Sequence, residues 1–399
     1  MQAAKDGRVS IAIEELETLA GLGHVESQYQ LGLLLSTHTT QDDQERAYAW
    51  LLLAKANSHP MASEAYKQLR AKVKNKRNAK RMFNGLAKSF GQDTLTATLL
   101  PTLKPEQTAK IWPTSQNYPV LQPMDRNWLK AAKQLYGEIW ALVSYYIDWH
   151  GKIDALEVLA SESEISSDSP LLQAILSQRF TPRLNERAEP IYTYAVTQWV
   201  STHPDSKPSD TQLSALQQSA NQGDGKALRA LASLKQELPG NNQYSSFETM
   251  LAAAQAGDSR AQWLMADCLF AGQTCVKDDE KALRWLKAAA SSGHMQAQLL
   301  IAEKAGHIDR VRRLAQQGHA PALSFYISKL AQEHSVARRL LAYKLISQAT
   351  LHFNDTPHVF VLAGQLAKQH NDEVTSQIYF NKASLLAERW RYPKAYHQR

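Results

Sequence analysis

The sequence predicts an all-α protein, a right-handed α/α solenoid of about 18 to 20 short helices arranged as helix–turn–helix units, with no sheet. Three observations predict it. Residues 254–306 hold one complete helix pair and the start of the next. The pattern restarts at Gly293-His294, 36 residues after Gly257-Asp258. Finally, one register recurs at five turns. Three residues after His24, Asp224, Asp258, His294 and His319 stand Ser27, Ala227, Ala261, Ala297 and Ala322; seven residues after them stand Leu31, Leu231, Met265, Ile301 and Tyr326. A small residue where two helices cross, followed one turn later by a large one, is what close helix pairing requires.

In the clearest unit, Ala261, Leu264, Met265, Cys268 and Leu269 share one helix face at three- and four-residue spacings. Gly272 ends that helix, Asp279 caps the next, and Ala282, Trp285, Leu286, Ala289 and Ala290 form its buried face until Gly293. The first unit follows the same template: Ile11, Ile13, Leu16 and Leu19, a turn at Gly21-Leu22-Gly23-His24, then Ser27, Leu31 and Gly32. Asp43 precedes Arg46-Ala47-x-x-Trp50, which matches Lys281-Ala282-x-x-Trp285, and a His follows each Trp by nine residues (His59 and His294). Gly23, Gly32, Trp50, Gly257, Ala261, Gly272, Ala282, Trp285 and Gly293 are therefore the expected repeat-packing positions.

The expected organisation is N-terminal repeats over 1–71, divergent helical repeats with Pro-rich connections over 72–214, repeats and a closing helix pair over 215–390, and a polar tail over 391–399. Within the middle segment, Asn127–His150 is rich in aromatic and apolar residues, including Trp128, Tyr136, Trp140, Tyr146 and Trp149, and reads as a buried helix pair.

The 399 residues are 44% hydrophobic and 21% charged, as expected of an ordered soluble chain, and no segment offers the roughly 18 uninterrupted apolar residues of a membrane span. The net charge of +7 favours anionic partners. Lys72, Lys74, Lys76, Arg77, Lys80 and Arg81 concentrate that charge. They read first as a solvated helix face opposite Met82 and Leu86, and second as a patch for an anionic protein, polysaccharide or membrane surface. No aromatics are interleaved with these cations, so no nucleic acid is expected. No phosphate loop, dinucleotide fingerprint, nucleophile elbow or zinc-ligand spacing occurs, so no enzyme, cofactor or metal is expected. The recurring turn histidines are better explained by turn geometry than by coordination. Cys268 and Cys275 are spaced for a local disulfide, which would imply an oxidising compartment, or are two separate thiols.

The Gly272 loop, Asp279, the Lys281-Ala282-x-x-Trp285 step and Gly293 together resemble a Sel1-like repeat, a relative of the tetratricopeptide repeat. The opening run, with Ala3, Gly7, Ala12, Leu19-Ala20, Leu22-Gly23, Glu26 and Gln28, is similar to the mature start of AlgK-type periplasmic lipoproteins of exopolysaccharide (alginate) export. Those proteins carry a signal peptide and a lipid-bearing Cys, and neither is found here, so the expectation is either a mature or trimmed form, periplasmic and anchored at the outer membrane, or else a cytoplasmic protein. The resemblance implies a non-enzymatic scaffold anchored at the outer membrane, which helps place the export porin and links it to periplasmic polymer-modifying proteins. The second reading is a Sel1-like adaptor in signalling or envelope maintenance, cytoplasmic or periplasmic.

Overall fold

The structure, a computed structural model, describes residues 9–104, 111–184, 190–203, 206–237, 243–333, 335–352 and 357–389. Ala3 and Gly7 of the opening run, and the tail 391–399, lie outside the described residues. In chain order the helices are α1 (Val9–Gly21), α2 (Val25–Ser36), α3 (Gln41–Ala56), α4 (Ala62–Lys72), α5 (Lys76–Phe90), α6 (Gln92–Thr98) and α7 (Arg126–Tyr136). Strands β1 (Trp140–Ile147) and β2 (Ile153–Ser161), helix α8 (Pro170–Leu176) and strand β3 (Thr193–Ser201) follow. The remaining helices are α9 (Asp210–Asn221), α10 (Gly225–Glu237), α11 (Gln243–Gln255), α12 (Ser259–Ala271), α13 (Asp279–Ser291), α14 (Met295–Lys304), α15 (Ile308–Gln316), α16 (Ala320–Gln332), α17 (Val336–His352), α18 (Pro357–Gln369) and α19 (Glu373–Arg389).

The chain divides into two compact units, one of residues 1–112 and 209–292, the other of 113–208 and 293–399. In the first unit, α1–α6 come together with α9–α13, although more than a hundred residues separate the two runs. The joint is specific. Gln255 Nε2 donates to the Leu22 carbonyl at 3.1 Å, and a Cβ on Gly257 would lie 2.9 Å from Leu19. Residues 99–104 run beside the loop after α12: Leu103 bridges Cys275, Val276 N–H donates to Thr102 O at 2.8 Å, and Lys104 N–H donates to Thr274 O at 3.0 Å. At its far end Trp112 stacks on Phe247 and donates its indole N–H to Ser246 Oγ.

The repeat register has a direct physical expression. Ser27, Ala227, Ala261, Ala297 and Ala322 are all buried, as are Leu31, Leu231, Met265 and Tyr326, while Ile301 is half-buried. Gly32 shows why size matters here, because a Cβ at that position would lie 2.7 Å from Leu51 Cγ on the facing helix. Gly272 ends α12 in the left-handed region, at φ +62°, and its N–H returns to the Cys268 carbonyl. The cap of α13 is Asp278, one residue before the Asp279 expected from sequence; its carboxylate accepts the Lys281 N–H at 3.0 Å.

The second unit corrects the all-α expectation. The chain is mostly helical, but β1, β2 and β3 form an antiparallel sheet in the order β2–β1–β3, and Val120–Gln122 pairs with Arg179–Phe180. The stretch read as a buried helix pair is the short helix α7 followed by β1, and Trp128 on α7 is exposed. The segment 72–214 is thus not a run of divergent helical repeats: α5 and α6 belong to the first unit, and the sheet lies beyond them. The misreading has a cause. Almost every residue of β1 is buried on both faces, so the strand carries a continuous apolar run instead of an alternation. One face packs Ala141, Val143, Tyr145 and Ile147 with Val196, Val200, Phe180 and Ile175 into the core of this unit. The repeat helices α14–α18 of the unit form their own core around Leu314, Tyr326, Ile327, Ile346 and Leu366.

Two turn histidines make stability depend on pH. Burial lowers the pKa of His24 from its ordinary 6.5 to about 4, with Glu26 opposing and His59 reinforcing the shift; burial alone holds His319 at about 4. The unfolded chain then binds more protons than the folded one between pH 6.5 and 4. Stability should therefore be full above about pH 6.5 and fall as pH drops through that window. Urea midpoints measured at pH 7 and pH 5 check this. A His24→Asn/His319→Asn variant should show a smaller drop than the parent, and an equal drop would remove these two residues as the cause.

Candidate interaction surfaces

The basic run flanks the junction of α4 and α5. Lys72 ends α4, Lys74 lies in the connection, and Lys76, Arg77, Lys80 and Arg81 occupy the first turns of α5. All six are exposed, while Ala79 is buried and Met82, Phe83 and Leu86 turn partly inward. Asn75 caps α5 by accepting the Asn78 N–H at 3.0 Å, and Asn78 in turn bonds the buried Glu45, which fixes the entry angle of the helix. The first turn of α5 carries no acidic residue. Cations there have the same sign as the positive end of the helix dipole, so their fields add to the dipole's.

The turn histidines make local bonds. His24 Nδ1 lies 2.7 Å from Ser27 Oγ, and His294 Nδ1 accepts the Ala297 N–H at the start of α14. His59 stacks on Tyr29 at 4.2 Å, and its Nε2 lies 2.8 Å from Glu26. Trp285 is fully buried and donates its indole N–H to Leu99 O at 2.9 Å, while Trp50 stacks against Phe90. Gly23, Gly257 and Gly293 occupy turns with positive φ, and Ala261 and Ala282 are buried at helix crossings.

Cys268, in the last turn of α12, is disulfide-bonded to Cys275, with the Cα atoms 5.5 Å apart. Protein from an oxidising compartment should show no titratable thiol after denaturation, and reduction should cost about 2 kcal/mol, since so short a loop constrains the unfolded chain little. Two thiols in such a preparation would contradict the bond.

In the second unit, sequence reasoning missed the turn between β1 and β2. Asp148 Oδ1 accepts the N–H groups of both His150 and Lys152 at 2.8 Å, and Oδ2 lies 2.9 Å from His150 Nδ1. Lys152 bridges Arg179 on the neighbouring strand, and Gly151, at φ +76°, is pressed so close to Phe180 that a Cβ would lie 1.7 Å from its carbonyl oxygen. Trp149, Tyr192, Tyr194 and Tyr146 form a chain of ring contacts 4.9 to 5.7 Å apart. The local signal is weak: Asp-Trp-His-Gly follows a stretch rich in Val, Ile, Tyr and Trp, but the second strand, Ile153–Ser161, carries only one Ile and one Val and no aromatic residue.

Residues 25–59 and 259–294 match the Sel1 repeat. These are the two segments whose Trp50 and Trp285 steps share one template. Sel1 repeats build protein-interaction scaffolds. Among solved structures, the chain is similar to a Sel1 repeat protein from Oxalobacter formigenes, at 18% identity over 43% of this chain and 76% of that one, with a TM-score of 0.31. It is also similar to c5321, a protective antigen of uropathogenic Escherichia coli displaying an SLR fold, at 14% identity over 96% of this chain and 70% of that one, with a TM-score of 0.37. No curated protein matches the sequence.

Proposed function

We propose that the chain is a non-enzymatic, periplasmic scaffold of an acidic-exopolysaccharide secretion complex, which joins the outer-membrane export porin to periplasmic polymer-modifying proteins. The observation that carries the reading is the Sel1 repeat itself, found in two segments that the first unit brings together. Stacked helix pairs give a rigid surface long enough for more than one protein partner. The Cys268–Cys275 bond supports an oxidising compartment. The opening run and its similarity to AlgK-type lipoproteins support the export pathway. The alternative, an adaptor of another pathway, has the repeat in its favour and predicts different partners.

Crosslinking in the native envelope tests the choice. Recovery of both a porin and a polymer-modifying protein with the full chain is the expected result; recovery of neither, with signalling or maintenance proteins in their place, would favour the adaptor. The basic helix gives a second measurement. Replacing Lys74, Arg77 and Arg81 with Gln should leave stability within about 0.5 kcal/mol per site, because all three are exposed. The same variant should bind anionic vesicles or a polyuronate more weakly than the parent. Parent binding should fall steeply with salt, since screening shortens to about 8 Å at physiological ionic strength. Binding unchanged by both salt and substitution would return α5 to an ordinary solvated face.

A further inference from the structure

We propose that the exposed face of α17 is a docking surface for an acidic amphipathic helix of a partner protein. The proposal goes beyond the export reading and does not depend on it.

Three observations lead there. The first is an apolar face on a helix that its own unit has already packed. α17 turns Ala342, Ile346, Ala349 and Thr350 inward, and all four are buried. On the opposite side Val336 and Leu340 are 68% and 57% exposed, and Leu341 is 37% exposed. Their spacing along the helix brings Val336, Ala337, Leu340 and Leu341 together over two turns. Single exposed apolar residues are ordinary, but a contiguous group on one helix marks a contact surface.

The second is the charge around that group. α17 holds Arg338, Arg339 and Lys344 and no carboxylate. A rotation of about 100° per residue places the two arginines on opposite flanks of the apolar face and Lys344 one turn beyond Leu340. Arg339 donates to the Glu333 carbonyl at 3.4 Å. The Glu333 carboxylate lies 3.7 Å from Arg338, but both side chains are half-exposed, so that pair is weak. α15 enters the same core through Val311 and Leu314 and leaves Arg312 and Arg313 exposed. From α15 through α17, residues 308–352, seven Lys or Arg stand against two Asp or Glu, a net +5 in a chain whose total is +7. An apolar centre with a rim of one sign has the anatomy of a protein interface, and it fits a partner whose rim has the opposite sign.

The third is the kind of side chain. The face is aliphatic. Tyr343, the one aromatic residue of α17, is turned elsewhere: its hydroxyl donates to Asp372 Oδ2 at 3.3 Å, and its ring meets that of His370. Bases need rings to stack on, and helices that lie in a membrane surface sink a whole apolar side bearing Trp, Phe or Leu. Here that side is already spent on the core. Valine and leucine over two turns suit the ridges of a second helix, whose flanking carboxylates would meet Arg338 and Lys344.

The test uses the full chain carrying Lys74→Gln, Arg77→Gln and Arg81→Gln, so that the basic helix α5 contributes nothing. The probe is a fluorescently labelled peptide of about 20 residues, long enough to be helical, with Leu along one face and Glu elsewhere. Anisotropy titration should show saturable binding that weakens as salt rises. The same peptide with Lys in place of Glu should not bind. Adding Leu340→Ser or Lys344→Gln should weaken binding about tenfold each. Val374→Ser with Ile378→Ser, in the exposed apolar residues of α19, should leave it unchanged. All of these sites are exposed, and urea midpoints check that each variant folds; if Leu340→Ser does not, Val336→Ser takes its place. No binding of the Glu peptide, equal binding of the Lys peptide, or equal loss through the α19 variant would each overturn the proposal. Equal binding of a Glu-rich peptide whose leucines are scattered around the helix would also overturn it, by showing attraction of charge alone. So would binding to anionic vesicles that Leu340→Ser abolishes while the Glu peptide stays unbound, which would assign the face to a membrane.

Discussion

Trp285→Ala should destabilise the first unit by about 4 kcal/mol, lowering its melting temperature by roughly 10 °C. The side chain is fully buried on α13 among small residues, with Ala282 and Ala289 on the same face. Truncation to Ala therefore leaves a void that its small neighbours cannot fill by changing rotamer. The indole N–H also donates to the Leu99 carbonyl at 2.9 Å, and that acceptor loses its partner. Trp285→Phe restores most of the volume but not the hydrogen bond, so it should recover more than half of the loss. The measurement is thermal or urea unfolding of all three proteins side by side. An Ala variant melting within about 2 °C of the parent would mean that this ring is not the link between the 99–104 segment and the later repeats.

The Trp285 environment also shows what the sequence could and could not tell. Its burial was legible, because the three- and four-residue spacing from Ala282 to Ala289 names one helix face. Its partner was not: Leu99 is 186 residues away, and nothing local marks either residue as facing the other. The same division holds elsewhere. Small residues at the turn-plus-three positions follow from the geometry of one helix pair, so Ser27, Ala227 and Ala261 were found by register alone. The union of α1–α6 with α9–α13 depends on contacts such as Gln255 to Leu22 that have no period. The sheet was missed because burial on both faces erases the alternation that identifies a strand, and because aromatic residues suit a buried helix equally well. The six cations of the basic run were visible as charge. The Asp148–Lys152 turn was not, because its polar residues lie inside a run that reads as apolar, and their meaning comes from Arg179 on another strand.

A second large effect is expected at Asp258, which does two jobs at the start of α12. Its Oδ1 accepts the Ala261 N–H at 2.7 Å as a helix cap, and both oxygens accept from Arg229 Nε, at 2.9 and 3.0 Å. The Arg229 side chain is only 3% exposed, so its charge is compensated where water scarcely reaches. Asp258→Ala removes the cap, worth about 1 kcal/mol, and takes the Asp258 carboxylate away from the buried Arg229 guanidinium. Breaking a buried pair from one side costs about 3–5 kcal/mol, and that loss should dominate. Asp258→Asn keeps a capping oxygen and one acceptor, so it should fall between the parent and the Ala variant. The decisive comparison is Asp258→Ala combined with Arg229→Met. Removing the stranded charge as well should restore about 1–3 kcal/mol relative to Asp258→Ala alone, because the desolvation cost goes with it. Chemical denaturation of the parent, Asp258→Ala, Arg229→Met and the double variant gives the coupling directly. If the double variant is no more stable than Asp258→Ala, the pair contributes through packing of the arginine stem, and the charge pairing of Arg229 with Asp258 is not what holds this turn.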